Sequence, residues 1–219
     1  MKIRGPLVTL GAVAALGVGI LLLNMSNEGS APLGKPAAQS ATTVAPTTAA
    51  APLAPTTPPP PAFPAQADYV GKIPTANGTI TLEITVQGDK AVAYACDGNT
   101  VESWLRGSAV NGALSLVNKD KTSRLEGHIE GNAVVGTLWI GEKKWDFNAP
   151  AGQPPAGLYV YENAGVRNSW IVDPNGGVTG VQRREDGSTA PAPRLTTDGI
   201  ANIDGIEVKA IRVQGASDV

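Results

Sequence analysis

The sequence has very few of the side chains from which reactive and metal-binding sites are built. The chain of 219 residues holds one cysteine, Cys96, and one histidine, His128. A metal site normally needs three or four His, Cys or acidic ligands at recognisable spacings, which these two residues do not supply. No phosphate-binding loop, dinucleotide fingerprint, HExxH or GxSxG motif occurs either. The sequence therefore predicts no metal site, no catalytic residues and no cofactor.

Charged and aromatic side chains are also sparse. Charged residues make up 16% of the chain, aromatic residues 5%, and the formal net charge is -2. This balance excludes a strongly basic protein that tracks phosphate groups, so no nucleic-acid partner is expected. Glycine (26) and proline (18) are plentiful instead, and much of the proline lies before Asp68. Without that stretch and the apolar N-terminus, roughly 150 residues remain, which suits one β-rich domain or two small ones.

Residues 1–25 contain a long apolar run. Lys2 and Arg4 precede an uncharged stretch from Leu7 to Leu23, which as a helix is about 26 Å long and just crosses a bilayer core. A cleaved signal peptide is the alternative, but its apolar region is usually shorter, about 7–15 residues, and ends at an A-x-A-like site. Because the positive charges precede the helix, we expect a single-pass signal anchor in the cell membrane with a cytoplasmic N-terminus and an extracytoplasmic C-terminal domain.

Small residues recur along one face of this predicted transmembrane helix. Gly11, Ala15 and Gly19 are spaced four apart, an arrangement that lets helix backbones approach closely in lipid. A segment rich in alanine and glycine also produces such a stripe by chance, and this second interpretation is favoured. The three residues are candidates for transmembrane packing.

Residues 26–67 are dominated by alanine, proline and threonine. They offer too little apolar bulk to offset the entropy lost on ordering, so we predict a disordered linker. Proline fixes φ and keeps such a segment extended at about 3.1 Å per residue. The linker would hold a domain on the order of 100 Å from the membrane, and its Thr-Thr pairs beside proline are candidate O-glycosylation sites.

After Asp68 the pattern changes to alternation of apolar and polar residues. In residues 79–87, every second side chain from Ile80 to Val86 is aliphatic and the side chains between them are polar, which predicts a half-buried β-strand. Turn signals then recur about every ten residues, as in an antiparallel meander. We therefore predict a mainly β domain in which residues 68–150 form seven or eight up-and-down strands. Because a sheet must hide its edges, a closed or nearly closed barrel is favoured over the alternative, a β-sandwich.

The last part of the chain, residues 151–219, carries shorter β signals. The loop AGQPPAG precedes a strand GLYVYE, and hairpins are predicted at Asp173-Pro174-Asn175-Gly176 and at Asp204-Gly205. These pieces are thin for an independent core. We expect C-terminal β hairpins that pack on the first sheet or complete it, with a small second lobe as the alternative.

Cys96 ends the strand AVAYAC on the face that carries Val92 and Tyr94, and Asp97-Gly98-Asn99 supplies the turn after it. We predict a buried thiol that behaves as a small hydrophobe. An intermolecular disulfide and a reactive thiol are the alternatives. His128 lies among charged residues on a predicted strand and is expected to be solvated, and its face disagrees with that of Cys96, which argues against a catalytic dyad.

Carboxylates are more plentiful, and paired acids can hydrolyse glycosides. Sequence alone does not place any two of them across a cleft. On the outer faces of strands, acidic side chains are ordinarily solubilising, and a carboxylate-based hydrolase is therefore the weakest functional hypothesis. The acids considered are Glu83, Glu126, Glu130 and Asp146.

Aromatic side chains in a small barrel either fill its interior or line a pocket for an apolar ligand. Filling is the commoner case. The small side chains of Ala91, Ala93 and Ala95 on one strand face leave room beside bulky neighbours, so a cavity remains an open alternative. The candidate lining residues are Tyr94, Trp104, Trp139 and Trp145.

Several short segments are arranged in an order that carries a family resemblance. They are AVAYACDGNTVESWLRG, LEGHIEGNAVVGTLWIG, KKWDFNAP, PAGLYVYE and SWIVDPNGGVTG. Over most of residues 69–181 the chain resembles a group of uncharacterised actinobacterial envelope proteins. The resemblance implies an N-terminal membrane anchor, a Pro/Ala/Thr linker and a β-rich extracytoplasmic domain. The group has no established catalytic residues, so the resemblance implies no activity.

Taken together, these features predict a non-enzymatic, single-pass envelope protein that displays a β domain outside the membrane. The expected role is protein interaction, or an accessory role in a membrane or cell-wall complex, with an envelope protein as partner. The alternative is a barrel that binds a small apolar or lipidic ligand.

Overall fold

The computed structural model describes residues 61–219. The predicted signal anchor, its stripe of Gly11, Ala15 and Gly19, and residues 26–60 of the predicted linker lie outside the described residues. The first eight strands are β1 (Gln66–Thr75), β2 (Gly78–Gln87), β3 (Lys90–Cys96), β4 (Glu102–Val110), β5 (Ala113–Val117), β6 (Ser123–Glu130), β7 (Ala133–Ile140) and β8 (Lys143–Gly152).

Shorter elements follow in the C-terminal part. They are β9 (Gly157–Asn163), β10 (Val166–Val172), β11 (Val178–Arg183), β12 (Thr189–Pro191), β13 (Ile200–Ile203), β14 (Ile206–Lys209), β15 (Ile211–Arg212) and a 3-10 helix (Ala216–Asp218). Within residues 61–219, no helix is both long and apolar enough to cross a bilayer.

Strands β1–β8 form a closed antiparallel barrel in which each strand pairs with the next. The barrel closes where Asp68 and Tyr69 of β1 lie opposite Gly152 and Ala151 of β8. The predicted up-and-down meander and its closure are confirmed. The first strand begins at Gln66, inside the predicted linker, because Gln66 and Ala67 still pair with the end of β2.

The barrel interior is filled by side chains from all eight strands. Every second residue of β2 points inward, from Ile80 to Val86, and the alanines of β3 make room for larger neighbours such as Leu105 and Phe147. Both faces of β2 are buried, however, so the prediction of a half-buried strand is wrong. Thr81, Glu83 and Thr85 face away from the interior and are at most 2% exposed, because a second sheet covers this side of the barrel.

Glycines on the inner face allow the sheet to coil tightly. A Cβ on Gly107 would lie 2.0 Å from the Ser115 carbonyl oxygen, and one on Gly136 would lie 2.1 Å from that of Glu126. Glycine within a strand marks such close backbone approaches and bends. Side chains at these positions would therefore force neighbouring strands apart and oppose closure.

The C-terminal residues form a sheet of their own, with strand order β12-β11-β10-β9-β15. The predicted hairpin at residues 173–176 joins β10 to β11, and that at Asp204-Gly205 joins β13 to β14 in a separate two-stranded sheet. On the side away from the barrel, the indole of Trp170 is buried and donates a hydrogen bond from Nε1 to the Pro193 carbonyl at 2.7 Å.

The five-stranded sheet packs on the outer side of β1, β2 and β3. Val92, Tyr94 and Cys96 meet Leu158 and Ile171 of the sheet in a second apolar core. Ion pairs reinforce this contact because each joins a barrel residue to a C-terminal residue. They are Lys72 with Asp173, Glu102 with Arg183, and Asp68 with Arg212.

Candidate functional site at the barrel mouth

A cavity of about 640 Å³ opens at one end of the barrel. Successive hairpin turns in an up-and-down barrel alternate between its two ends, and three of the turns at this end surround the cavity. This volume lies within the range of about 300–1,000 Å³ that is typical of small-molecule sites. The lining residues are Thr75, Ala76, Asn77, Gly78, Thr79, Ile80, Asp97, Val101, Ile140, Glu142, Lys143, Lys144 and Trp145.

The floor of the mouth is apolar and continuous with the barrel core. Ile80 is 4% exposed, and the partly buried side chains of Ile140 and Trp145 pack against the same core. The rim is polar, and Glu142 and Lys143 lie on it. An apolar floor with a polar rim can accept the apolar body of a ligand while leaving its polar end in water.

The loop between β3 and β4 forms one wall of the mouth and is held by Asp97. Its Oδ1 accepts backbone N–H groups from Asn99, Thr100 and Val101 at 2.8–2.9 Å. Burial alone would raise the pKa of the Asp97 carboxyl, but these hydrogen bonds outweigh it and lower the pKa below its ordinary value. The wall is therefore fixed in shape before any ligand arrives.

The opposite end of the barrel is covered by residues that precede β1 in the chain. Phe63 packs against the barrel core and meets the Tyr69 ring edge-on at 6.1 Å between ring centroids. The Ala65 carbonyl accepts the Gly88 N–H at 2.8 Å. The last residues of the predicted linker thus belong to the fold, and the mouth at the other end is left open.

The four predicted lining residues do not come together in one cavity. Trp145 alone lies at the mouth. Tyr94 and Trp104 lie on the outside of the barrel in the second core, with ring centroids 4.5 Å apart. Trp139 points away from the interior, because its neighbour Leu138 faces inward, and the Arg124 guanidinium lies 3.9 Å from its ring centroid.

Cys96 is fully buried, as predicted, and unpaired. Burial raises the pKa of its thiol to about 12, so almost no reactive thiolate forms at neutral pH. His128 is exposed on the outer wall of the barrel, also as predicted. The prediction that Cys96 and His128 lie on different faces is wrong, because both point away from the barrel interior. Cys96 is buried and His128 is exposed because the C-terminal sheet covers only the outer side of Cys96.

Three of the four acids considered are exposed, but Glu83 is completely buried. The expectation that it lies on a solvated outer face is wrong, because the C-terminal sheet covers that face. Its Oε1 lies 2.9 Å from Thr85 Oγ1, which lies 3.0 Å from Asp68 Oδ1. Arg212 Nη2 in turn donates to Asp68 Oδ2 at 2.7 Å.

The hydrogen bonds among Glu83, Thr85 and Asp68 indicate which carboxyl group carries a proton. The Thr85 hydroxyl has one hydrogen to donate and two carboxyl oxygens within reach, so both contacts are hydrogen bonds only if one carboxyl group supplies a hydrogen itself. Arg212 neutralises an ionised Asp68, which leaves the extra proton on Glu83. Burial, followed by the negative charge of Asp68, raises the pKa of Glu83 well above its ordinary value.

This carboxyl pair lies between the barrel and the sheet and does not line the mouth. Within residues 61–219, no group of three or more His, Cys, Asp or Glu side chains is placed to hold a metal ion. Comparisons with protein-family models, with curated proteins and with solved structures gave no significant match.

Sequence reasoning did not single out Ile80 and Ile140 as mouth residues, although it predicted the turn at Gly141-Glu142 that follows Ile140. The available signal was the alternation of turns between the two ends of a meander. That rule brings Gly141-Glu142 and Asp97-Gly98-Asn99 to one end. The sequence did not show that the apolar side chains beside those turns form the floor of an open cavity.

Proposed function

We propose that the β domain is a non-catalytic binding module whose barrel mouth takes the apolar body of a small ligand. The observation that carries this proposal is the cavity of about 640 Å³ above Ile80, Ile140 and Trp145. Apolar surface that is removed from water there contributes about 25 cal/mol per Å². The polar rim would orient the ligand with its hydrophilic end outward.

The proposed setting is the outer side of a cell membrane. The apolar run of residues 1–25 supports an anchor, and the resemblance to actinobacterial envelope proteins supports the same location. The first described residues, from Pro61 on, reach the covered end of the barrel, and the mouth opens at its other end.

Binding is tested with N-phenyl-1-naphthylamine, an apolar probe whose fluorescence rises in apolar surroundings, added to a shortened chain of residues 61–219. We expect saturable binding that Ala76→Trp weakens at least about tenfold, which corresponds to about 1.4 kcal/mol, because the added indole occupies the mouth. Ala113→Trp, at an exposed position on the outer wall, is the matched control and should bind as the wild type does. Unsaturable fluorescence, or equal binding by both variants, would contradict the proposal.

A protein partner is the second candidate function, and two exposed side chains favour it. Ile206 and Ile211 of the C-terminal part are 66% and 69% exposed, which is unusual for large aliphatic residues close together in sequence. Crosslinking in cells should capture an envelope protein that an Ile206→Ser, Ile211→Ser variant no longer captures. An unchanged crosslinking pattern would rule this surface out.

A further inference from the structure

The outer side chains of β5, β6 and β7, together with exposed positions of β4 and β8, form rows across the part of the barrel wall that faces solvent. The row nearest the mouth consists of directly opposed residues on neighbouring strands. In strand order, its members are Arg106, Val117, Arg124, Trp139 and Lys144. We call this set the basic row.

The basic row stands out against the charge of the domain. Three of the basic residues of the chain (Lys2, Arg4, Lys35) and one acid (Glu28) precede residue 61, so residues 61–219 carry 14 basic and 18 acidic side chains. The net charge of the described domain is therefore -4, while the basic row holds three cations and no acid. A concentration of positive charge on an acidic domain points to an anionic partner.

The cations of the basic row are available to such a partner. Arg106 and Lys144 are exposed and form no salt bridge within the described residues. Arg124 has Glu126 as a neighbour at 3.7 Å, with both side chains at least half exposed. An exposed ion pair of this kind contributes little and is readily exchanged for a stronger acceptor.

Arg124 is also held in place for binding. Its guanidinium carbon lies 3.9 Å from the centroid of the Trp139 ring, which restricts the side chain and leaves the edge of the guanidinium plane with its N–H donors free. A guanidinium edge binds carboxylate, sulfate or phosphate groups with two parallel hydrogen bonds. Because the ring already restricts this side chain, binding loses less conformational entropy.

Further lysines extend the positive surface at the mouth end. Lys119 and Lys121 lie in the turn between β5 and β6, and Lys143 begins β8. Two acids, Asp120 and Glu142, lie in the same turns, so the three lysines and two acids together add a net charge of +1. The cations of the basic row occur on every second strand, about 9–10 Å apart along the wall.

We propose that the basic row is a docking site for an anionic polysaccharide, a linear polymer that carries carboxylate, sulfate or phosphate groups. Charge complementarity selects the anion, and the curvature of the wall selects a polymer. Neighbouring strands of an eight-stranded barrel turn by about 45° around the axis, so Arg106 and Lys144 face widely different directions. A flexible chain follows this curve, whereas a planar membrane surface contacts only part of it.

The test uses the full-length chain in neutral maltoside micelles and heparin as the anionic polysaccharide probe. We expect retention on immobilised heparin, no retention on the neutral polysaccharide dextran, and elution by salt, since salt screens the ionic contacts. The triple variant Arg106→Ser, Arg124→Ser, Lys144→Ser should bind soluble heparin at least about tenfold more weakly. The variant Lys90→Ser, Arg184→Ser, Arg194→Ser removes the same charge from other exposed positions and should keep wild-type affinity within about threefold.

A further variant tests the positioning of Arg124. Trp139→Leu leaves all three cations in place and should weaken heparin binding severalfold, while the unfolding transition is followed in parallel to confirm that the barrel stays folded. The proposal is overturned if the wild-type chain passes through heparin at low salt, or if the charge-matched control loses as much affinity as the row variant. Displacement from heparin by mixed micelles that contain phosphatidylserine, at phosphate concentrations where phosphatidylcholine micelles have no effect, would assign the row to a membrane and also overturn it.

Discussion

Glu83 is predicted from the sequence to be exposed, but it is completely buried in the structure. It alternates with core aliphatics in β2, and the same alternation on an uncovered strand would leave it in water. Here the C-terminal sheet covers it, and the carboxyl group keeps a proton that the chain Glu83–Thr85–Asp68 requires.

Replacing Glu83 with Gln should stabilise the domain at neutral pH. The pKa of Glu83 is raised in the folded state above its ordinary value of 4.5, so the unfolded chain loses this proton first. The stability that the bound proton contributes is therefore complete below pH 4.5 and falls as the pH rises towards the folded-state pKa, by about 1.4 kcal/mol per pH unit. Glutamine does not titrate and can donate the same hydrogen bond.

Urea unfolding between pH 5 and pH 8 measures this effect. The free energy of unfolding of the wild type should fall with pH more steeply than that of Glu83→Gln, and the two should differ most at the upper end. Glu126→Gln, which removes an exposed acid from the outer wall, serves as the control and should keep the wild-type slope. Parallel curves for the wild type and Glu83→Gln would show that the buried acid is ionised in the folded protein.

Cys96 should resist labelling while the domain is folded. With a thiol pKa of about 12, on the order of one thiol in ten thousand is ionised at pH 8, and burial blocks access to the rest. We expect a maleimide to modify Cys96 at least about a hundredfold faster in 8 M urea than in buffer. A Ser108→Cys, Cys96→Ala variant places the thiol on the exposed wall and should react in buffer at the rate of a small thiol, whereas rapid labelling of native Cys96 would refute burial.

At the scale of elements, the C-terminal sheet shares an apolar core with the outer face of the barrel. One face of the sheet buries Trp170 within the C-terminal part itself. The apolar core on the other face is completed by Val92, Tyr94 and Cys96 of β3. Ion pairs at the border of this contact join the same two elements. The two parts should therefore unfold together.

Leu158→Ala tests this coupling. Leu158 is fully buried between β9 and the barrel, and its truncation should cost about 2–5 kcal/mol through lost burial and the cavity left behind. Tryptophan fluorescence, which reports on both parts, and far-UV circular dichroism should show one coincident transition at lower urea. Ile211→Ala in the same sheet, 69% exposed, should change stability by no more than about 0.5 kcal/mol, and a separate early transition of the sheet would contradict the coupling.

At the scale of the whole molecule, the described domain has one covered end and one open end. Phe63 and Ala65 cover the end at which the chain enters, and three turns surround the mouth at the other. The covered end is made by residues that composition assigns to the linker. A domain boundary drawn from composition therefore cuts into the fold.

Chains that begin at Pro61 and at Asp68 should both give a β-type circular dichroism spectrum but differ in stability. The shorter chain loses Phe63, the hydrogen bond to Gly88 and the first two residues of β1. We expect its melting temperature to fall by about 5 °C or more, which corresponds to roughly 2 kcal/mol for a domain of this size. Phe63→Ala in the longer chain should account for much of the difference, and equal melting temperatures would show that the entering segment contributes nothing.

The sequence by itself determined the class of the domain, because turn signals and period-two alternation are local properties of the chain. These two signals predicted the strand that contains Ile80 and the hairpin at Asp173. Because a meander must hide its edges, they also predicted closure into a barrel. The same alternation placed Cys96 on one strand face with Val92 and Tyr94, and the structure confirms this grouping.

Only the tertiary structure decided what covers each outer face. Burial of Glu83, the outward position of Trp104 and the use of Phe63 at the covered end all depend on contacts between residues far apart in the chain. A strand pattern tells which residues share a face but not whether that face meets water or a second sheet. For this reason the barrel was predictable from the sequence, while the mouth, the buried carboxyl pair and the basic row were not.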